Sequence, residues 1–248
     1  MKVFTYDNDI LNRKEYLYEG LFIDTNKKKI ISFVGAGGKT TLIFNLAEEL
    51  KSIGRKVIIT TTTNMFICEK YFISSSDLNQ ITEKLKSDGI AVIGRPIGNN
   101  KFSYLNAVSF HELLEICDFL LIESDGSRRL PLKAPDIHEP VVIDETDIVV
   151  GVAGIDSLGQ SIKDICHRKE IVSDILNADE SHIISERDIA ELLSSERGQR
   201  KAMCSLEKGA QYVAVINKCD TNEVLRNAKI IGGLLNDKKI SSVVTSFV

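Results

Sequence analysis

The chain has 248 residues with 31 Lys+Arg against 35 Asp+Glu, a formal charge of −4, and 43% hydrophobic positions. That composition is ordinary for a globular protein, and a chain of this length buries roughly 70–75% of its unfolded surface without needing disulfides or a structural metal. Mild acidity argues against nucleic acid as the main partner, and no run of 18 apolar residues marks a membrane span.

The first thirty positions mix Asp, Glu, Lys and Asn, unlike a signal segment, so a cytoplasmic protein with neither a nucleic-acid nor a membrane partner is expected. Residues 1–28 read as an N-terminal appendage, with a short helix over 9–18 and Lys27-Lys28-Lys29 as a solvated turn. From residue 29 to 248, short β-branched runs alternate with longer helical segments, the pattern of a parallel sheet with crossover helices. Strands are expected at 30–34, 57–60, 90–93, 119–122, 148–152, 213–216 and 242–245, mostly as continuous apolar runs buried on both faces. Helices are expected at 39–53, 78–87, 110–116, 170–176, 186–193 and 222–236, with Ser185-Glu186-Arg187-Asp188 shaped as an N-cap. The polar stretch between Gly94 and Ala107 suggests a loop or hairpin excursion, and 154–210 a small helical subdomain. Cys68, Cys117, Cys166, Cys204 and Cys219 form no CxxC pair and read as reduced thiols, most of them small buried hydrophobes. His111, His138, His167 and His182 lack the spacing of a zinc site.

The strongest motif is Gly35-Ala36-Gly37-Gly38-Lys39-Thr40-Thr41, between an apolar strand and an amphipathic helix, the setting a P-loop requires. Glycines let backbone N–H groups turn around phosphate oxygens, and the helix N-terminus favours anions. Lys39 would reach the β- and γ-phosphates and Thr40 would ligate Mg²⁺. Phe33 stands where the common spacing has its first glycine, so the loop is the shorter GxxGKT variant, similar to that of Mur-type ligases. The expected fold is therefore α/β, three-layered and P-loop NTPase-like, with a mainly parallel sheet and a small helical insertion.

A second apolar strand runs into Glu123-Ser124-Asp125-Gly126, similar to a Walker B element. One of its two acids is expected to face the phosphates, with Asp125 favoured for Mg²⁺ and Glu123 for orienting water. Arg128, Arg129 and Lys133 follow, suited to a γ-phosphate or an anionic second substrate, and Arg128 joins the catalytic candidates. Asn217-Lys218-Cys219-Asp220 matches the NKxD pattern of GTP-binding P-loop proteins, in which Asp220 would accept from guanine and Lys218 would pack on the base. The run Thr60-Thr61-Thr62-Thr63 ends a strand, and Thr61 and Thr62 could complete the Mg²⁺ and phosphate shell.

Taken with Leu130-Pro131-Leu132-Lys133-Ala134-Pro135, His138-Glu139-Pro140, Gly151-Val152-Ala153-Gly154-Ile155-Asp156-Ser157-Leu158-Gly159 and His167-Arg168, these motifs resemble the YqeC family, accessory proteins of selenium-dependent molybdenum hydroxylases. Lys169 follows His167-Arg168 where the family pattern has proline. The resemblance implies a role in maturing the cofactor site of such an enzyme, with a hydroxylase client or a cofactor intermediate as partner beside the nucleotide. His138, Glu139, His167 and Arg168, together with Thr61, Thr62 and Lys133, are the candidates for a second site. Three activities are open: an Mg²⁺-dependent hydrolase with GTP favoured over ATP, a kinase or ligase acting on an anionic small molecule, and a binding module for a nucleotide or a molybdopterin nucleotide.

Overall fold

The structure is a computed structural model, and it describes residues 1–206 and 209–248. The chain opens with a hairpin, β1 (Lys2–Asp7) and β2 (Ile10–Lys14), turned at Asn8 and Asp9, both left-handed at φ 47° and 63°. One turn of helix, α1 (Leu17–Gly20), leads to β3 (Lys29–Gly35), α2 (Lys39–Ser52) and β4 (Val57–Thr61). Next come β5 (Asn64–Phe66), β6 (Phe72–Ile73), α3 (Leu78–Asp88), β7 (Ile90–Ile93), β8 (Arg95–Gly98), β9 (Lys101–Ser103), α4 (Phe110–Ile116) and β10 (Phe119–Glu123). The last part holds β11 (Leu132–Lys133), β12 (Ile148–Gly154), α5 (Ile162–Ile165), β13 (Cys166–His167), α6 (Lys169–Leu176), α7 (Glu186–Ser194), β14 (Gln211–Asn217), α8 (Asn222–Asp237) and β15 (Ser241–Ser246).

The main sheet has the order β2-β1-β15-β14-β12-β3-β10-β4-β7-β6, parallel from β15 to β6, with β1 and β2 added antiparallel at one edge. Its strands are apolar on both faces because both are covered. In β10, Leu121 points with Ile31 and Ile59 toward α2, while Leu120 and Ile122 point with Ile30 and Ile58 toward α3 and α4. Beyond β3, Ala214, Ile216 and Val244 meet a layer built from α5 to α8. The result is the three-layer α/β arrangement expected, with the chain leaving β3 toward β4 and later recrossing it to β12. The carboxyl ends of β4, β10, β3, β12 and β14 thus surround one crevice, where open α/β sheets place their ligands.

All seven expected strands and all six expected helices from residue 30 onward are present, with ends that match or differ by at most two residues. Side-chain caps explain four of the helix starts: Asp77 for α3, Ser109 for α4, Ser185 for α7 and Thr221 for α8. The stretch after Gly94 is the β8–β9 hairpin, to which β5 adds a third strand. Residues 154–210 hold α5 to α7 as well as the two-residue strand β13; Glu207 and Lys208, at the end of that expected subdomain, lie outside the described residues.

Two expectations for the N-terminus are corrected. The helix over 9–18 does not form, because Leu11 and Arg13 pair with Tyr6 and Phe4 across the turn. Lys28 and Lys29 do not simply face solvent: Lys28 donates to the last carbonyls of α4, at Leu114 and Glu115, and Lys29 pairs with Asp147 at 3.0 Å. The hairpin is packed into the domain, with Val3 fully buried and Tyr6 lying so close over α8 that a Cβ on Gly232 would come within 2.8 Å of its ring. Removal of residues 1–14 should leave β15 as a bare, flat edge. A lower Tm and self-association are expected by thermal unfolding and light scattering; an unchanged Tm in a monomer would make the hairpin dispensable.

Candidate functional site

The loop between β3 and α2 takes its shape from three left-handed glycines, Gly35, Gly37 and Gly38, at φ 98°, 75° and 110°. Space demands glycine as well: a Cβ on Gly37 would lie 2.1 Å from the Gly154 nitrogen. Ala36 donates to the Val152 carbonyl and Gly37 to that of Leu130, which docks the loop on β12 and on the segment after β10. Helix α2 begins on Gly38 without a side-chain cap, and its first bond runs from Leu42 N to the Gly38 carbonyl. The amides of Lys39, Thr40 and Thr41 are therefore left for something outside the helix.

Lys39 is 3% exposed, and its ammonium donates to the Gly35 carbonyl at 2.5 Å and to Asp125 Oδ1 at 3.0 Å. Burial opposes its charge, yet Asp125 and Glu123 outweigh that and hold its pKa above the ordinary lysine value. Asp125 is fully buried and accepts from Gly35 N with both oxygens, at 3.1 and 2.9 Å, while Oδ2 also meets Lys133 Nζ at 2.9 Å. Lys133 donates further to the Gly126 carbonyl at 2.7 Å and to Glu139 Oε2 at 2.6 Å. Arg168 then grips Glu139 with both terminal nitrogens and reaches Asp136 Oδ2 with Nε at 3.3 Å. A line of alternating charge thus runs from the loop lysine to the start of α6.

This geometry corrects two expectations. Asp125 has its oxygens occupied and does not line the crevice, so it is not placed to ligate Mg²⁺. Lys133 has all three ammonium donors committed within the protein and is not placed to bind an anionic ligand.

The other acid of the strand end lines the crevice at the start of α2. Glu123 accepts from the Thr40 hydroxyl at 2.6 Å, and the register of β10 on β3 sets it level with Phe33, just before the loop. Burial raises its pKa, Lys39 and the Thr40 hydroxyl working against the rise. Thr61 is buried and donates to the Glu123 carbonyl at 2.7 Å, fixing the strand end from beneath, and Thr62 donates to the Val141 carbonyl at 2.8 Å; neither lines the crevice, whereas Thr63 does.

Asn217 also acts below the loop. Its Nδ2 donates to the Gly37 carbonyl at 2.7 Å, and its Oδ1 accepts from Thr245 at 2.7 Å. Lys218 lines the crevice and pairs with Asp156 at 2.6 Å. Asp220 lies outside the lining, exposed, with Oδ1 accepting from Phe247 N at 2.8 Å.

The crevice has a volume of about 1030 Å³ and extends from the glycine loop to the start of α6. Arg128 line its wall, as do Glu139, His167 and Arg168, while His138 is exposed and outside it. His167 is pushed down to about 4, by burial first and then by the charges of Lys133, Arg168 and Arg128; its Nδ1 is buried with no hydrogen-bond partner in the described structure. Four contributors gave no sequence signal. Gln199 donates to the Lys133 carbonyl at 2.9 Å and packs on Gly35, Asp136 ends the ion chain, and Phe66 and Lys101 line the crevice from β5 and β9. Among the described residues no group of three or more His, Cys, Asp or Glu side chains could hold a metal by itself, and no helix is long and apolar enough to cross a membrane.

The model of the family described as YqeC protein matches residues 31–170, the segment that contains the loop, both strand ends and the ion chain. A curated relative, the uncharacterized protein YqeC of Escherichia coli (strain K12), is 33% identical over 208 residues, which is 80% of each chain. The chain belongs to the YqeC family. Among solved structures, the crystal structure of the signal recognition particle receptor FtsY from Elizabethkingia anophelis aligns at a TM-score of 0.39 and 16% identity, covering 91% of this chain and 63% of that one. Within this YqeC chain the matched segment ends at the Arg168–Glu139 pair and its neighbours.

Glu139 tests the ion chain. Burial works to raise its pKa, but the bonds from Arg168 and Lys133 prevail and hold it down to about 2, from the ordinary 4.5. A depressed folded-state pKa adds stability above 4.5 that is lost as pH falls toward 2. Glu139→Gln should therefore lower Tm at pH 7, with the gap from wild type closing between those values in thermal unfolding across pH.

Proposed function

We propose that the protein binds a nucleoside triphosphate with Mg²⁺ at the Gly35–Thr41 loop and cleaves or transfers its terminal phosphoryl group. On this reading it serves as an accessory factor in maturing a selenium-dependent molybdenum hydroxylase. The observation that carries the nucleotide reading is the 2.6 Å contact between the Thr40 hydroxyl and Glu123, set at the uncapped start of α2 beneath a glycine cradle. Thr40 and Glu123 would hold Mg²⁺, which when bound neutralises charge on the β- and γ-oxygens. The role given to Asp125 by the sequence passes in this reading to Glu123.

The amides of residues 39–41 supply donors for phosphate oxygens. Lys39 has two of three ammonium donors engaged, which leaves one for a phosphate without abandoning Asp125. Arg128, on the crevice wall with no ion pair among the described residues, stands ready for the terminal phosphate. For the base, GTP is favoured over ATP on the Asn217-Lys218-Cys219-Asp220 pattern at the end of β14, where Lys218 reaches the crevice. Asp220 keeps one oxygen free of the Phe247 amide for a guanine edge. The crevice, about 1030 Å³ and reaching from the loop to the start of α6, has room for a second small molecule, so transfer stands beside hydrolysis; a phosphorylated product, rather than inorganic phosphate alone, separates the two.

Calorimetric titration with GTP and ATP, with and without Mg²⁺, is the test. Lys39→Ala should weaken nucleotide binding by about 10- to 100-fold, the value of one or two charge-assisted hydrogen bonds. Asp220→Ala should bring GTP down to the affinity of ATP; equal affinities in wild type would remove the guanine reading, and an unaffected Lys39→Ala the nucleotide reading.

The pH dependence checks Glu123 separately. Its carboxylate must be ionised to hold Mg²⁺, and its pKa is raised above 4.5. Mg²⁺-dependent affinity should therefore fall, as pH is lowered, before the ordinary carboxylate range is reached. In Glu123→Gln the Mg²⁺ contribution should be small and flat over that range.

A further inference from the structure

The cations along the crevice fall into two groups. Lys39, Arg168, Lys169 and Lys218 are each paired with a carboxylate, at Asp125, Glu139, Glu180 and Asp156. Lys101, Arg128 and Arg129 carry no ion pair among the described residues, and two of the three converge on one aromatic ring. The Arg129 guanidinium lies over the Phe66 ring at 4.6 Å from its centroid, and Lys101 Nζ over the same ring at 5.0 Å. Phe66 is 41% exposed on the crevice wall, although it belongs to a strand whose neighbour Met65 is buried.

The wall is built rather than incidental. Strand β5 is held in register on β9, with Phe66 opposite Lys101, so ring and ammonium are presented together. Arg128 and Arg129 are consecutive left-handed residues, at φ 50° and 64°, an unusual conformation for side chains of this kind. Their loop is pinned by Leu130, whose N donates to the Ser127 carbonyl and whose carbonyl accepts from Gly37 of the phosphate loop. Phe66 follows β4 and Arg128 and Arg129 follow β10, whereas Lys218 lies one residue past β14, on the other side of β3.

We infer that the wall formed by Phe66, Lys101 and Arg129 is the binding site for a second ligand: a planar aromatic molecule carrying an anionic group. Stacking on Phe66 requires the flat ring, and the unpaired cations require the negative charge. An arriving ring displaces one cation from the face of Phe66, and that cation gains the ligand's anionic group in exchange. The inference deepens the proposed function by naming the class of molecule beside the terminal phosphate, and it rests on that reading only for the assignment of the glycine-loop end to the nucleotide.

The probe is 1-naphthyl phosphate, titrated by its fluorescence into the full chain without nucleotide. The comparison compounds are 1-naphthalenemethanol, a ring without charge, and glycerol 3-phosphate, a charge without a ring. Saturable stoichiometric binding is expected, with both comparison compounds at least about tenfold weaker. Phe66→Ala should weaken it about tenfold and Phe66→Tyr hardly at all, while Lys101→Gln and Arg129→Gln weaken it severalfold and reduce its salt dependence. Phe66 is exposed, so an unchanged circular dichroism spectrum is expected for Phe66→Ala. No saturable binding, equal affinity in Phe66→Ala, or displacement of the probe by GTP with Mg²⁺ would overturn the inference. A failure of the nucleotide reading has a different signature: naphthyl phosphate binding intact, with neither GTP nor ATP bound.

Discussion

Asp125 joins the first amide of the phosphate loop to two ammonium groups, and the positions of the other charged residues follow from it. A carboxylate with no exposure to solvent is tolerated only when its oxygens are met by donors and its charge by opposite charge. Gly35 N supplies the first, Lys39 and Lys133 the second. Two cations on one anion would leave an excess in the interior, and Glu139 removes it; Arg168 and Asp136 extend the alternation until it reaches solvent at a half-exposed carboxylate. The segments that carry these residues, from β3, β10, β11 and the approach to α6, are drawn together by that one requirement. The two-residue pairing of β11 with β13, which sets Lys133 beside His167, is too short to do so alone.

The same network decides which groups remain for a ligand. Lys133 resembles a binding residue in sequence, but its ammonium is saturated, so it acts as a strut. Lys39 is one bond short of saturation, and that difference separates a structural lysine from one able to meet phosphate. Asn217 and Thr61 brace the loop and the strand end in the same manner, each using its polar atoms on backbone or neighbouring side chains. Groups held this way are positioned before any ligand arrives, which reduces the reorganisation that binding requires.

The sequence made the parallel core legible because its strands are unbroken apolar runs and four of its helices start on side-chain caps. Phe119–Glu123 and Ile148–Gly154 could hardly be read as anything else. The opening hairpin was not legible: its strands are half-exposed, their polar residues follow no clean alternation, and the turn uses Asn8-Asp9 rather than a glycine pair. At the site, the motif residues were visible individually, but their division of labour was not. Glu123 and Asp125 both meet the phosphate loop and the start of α2, one through Thr40 and the other through Gly35. Their difference arises because β10 ends at Glu123, leaving it level with Phe33 near Thr40, while Asp125 lies beyond the strand and meets Gly35. That distinction depends on where pairing stops, which periodicity does not specify.

Charge is also distributed against the average. The chain as a whole carries −4, yet the crevice is lined by seven Lys and Arg side chains and four carboxylates. Where the cations are paired, their fields cancel locally and serve the architecture. Lys101, Arg128 and Arg129 are different, since the aromatic ring beneath two of them offers only a weak partner compared with an anion. An uncompensated cation in a walled crevice focuses potential toward the space it faces, attracting anions to an otherwise acidic protein. The glycine loop and the Phe66 wall therefore draw on the same field, and the docking of Leu130 on Gly37 joins the loop to the segment that carries Arg128 and Arg129 through a single backbone hydrogen bond.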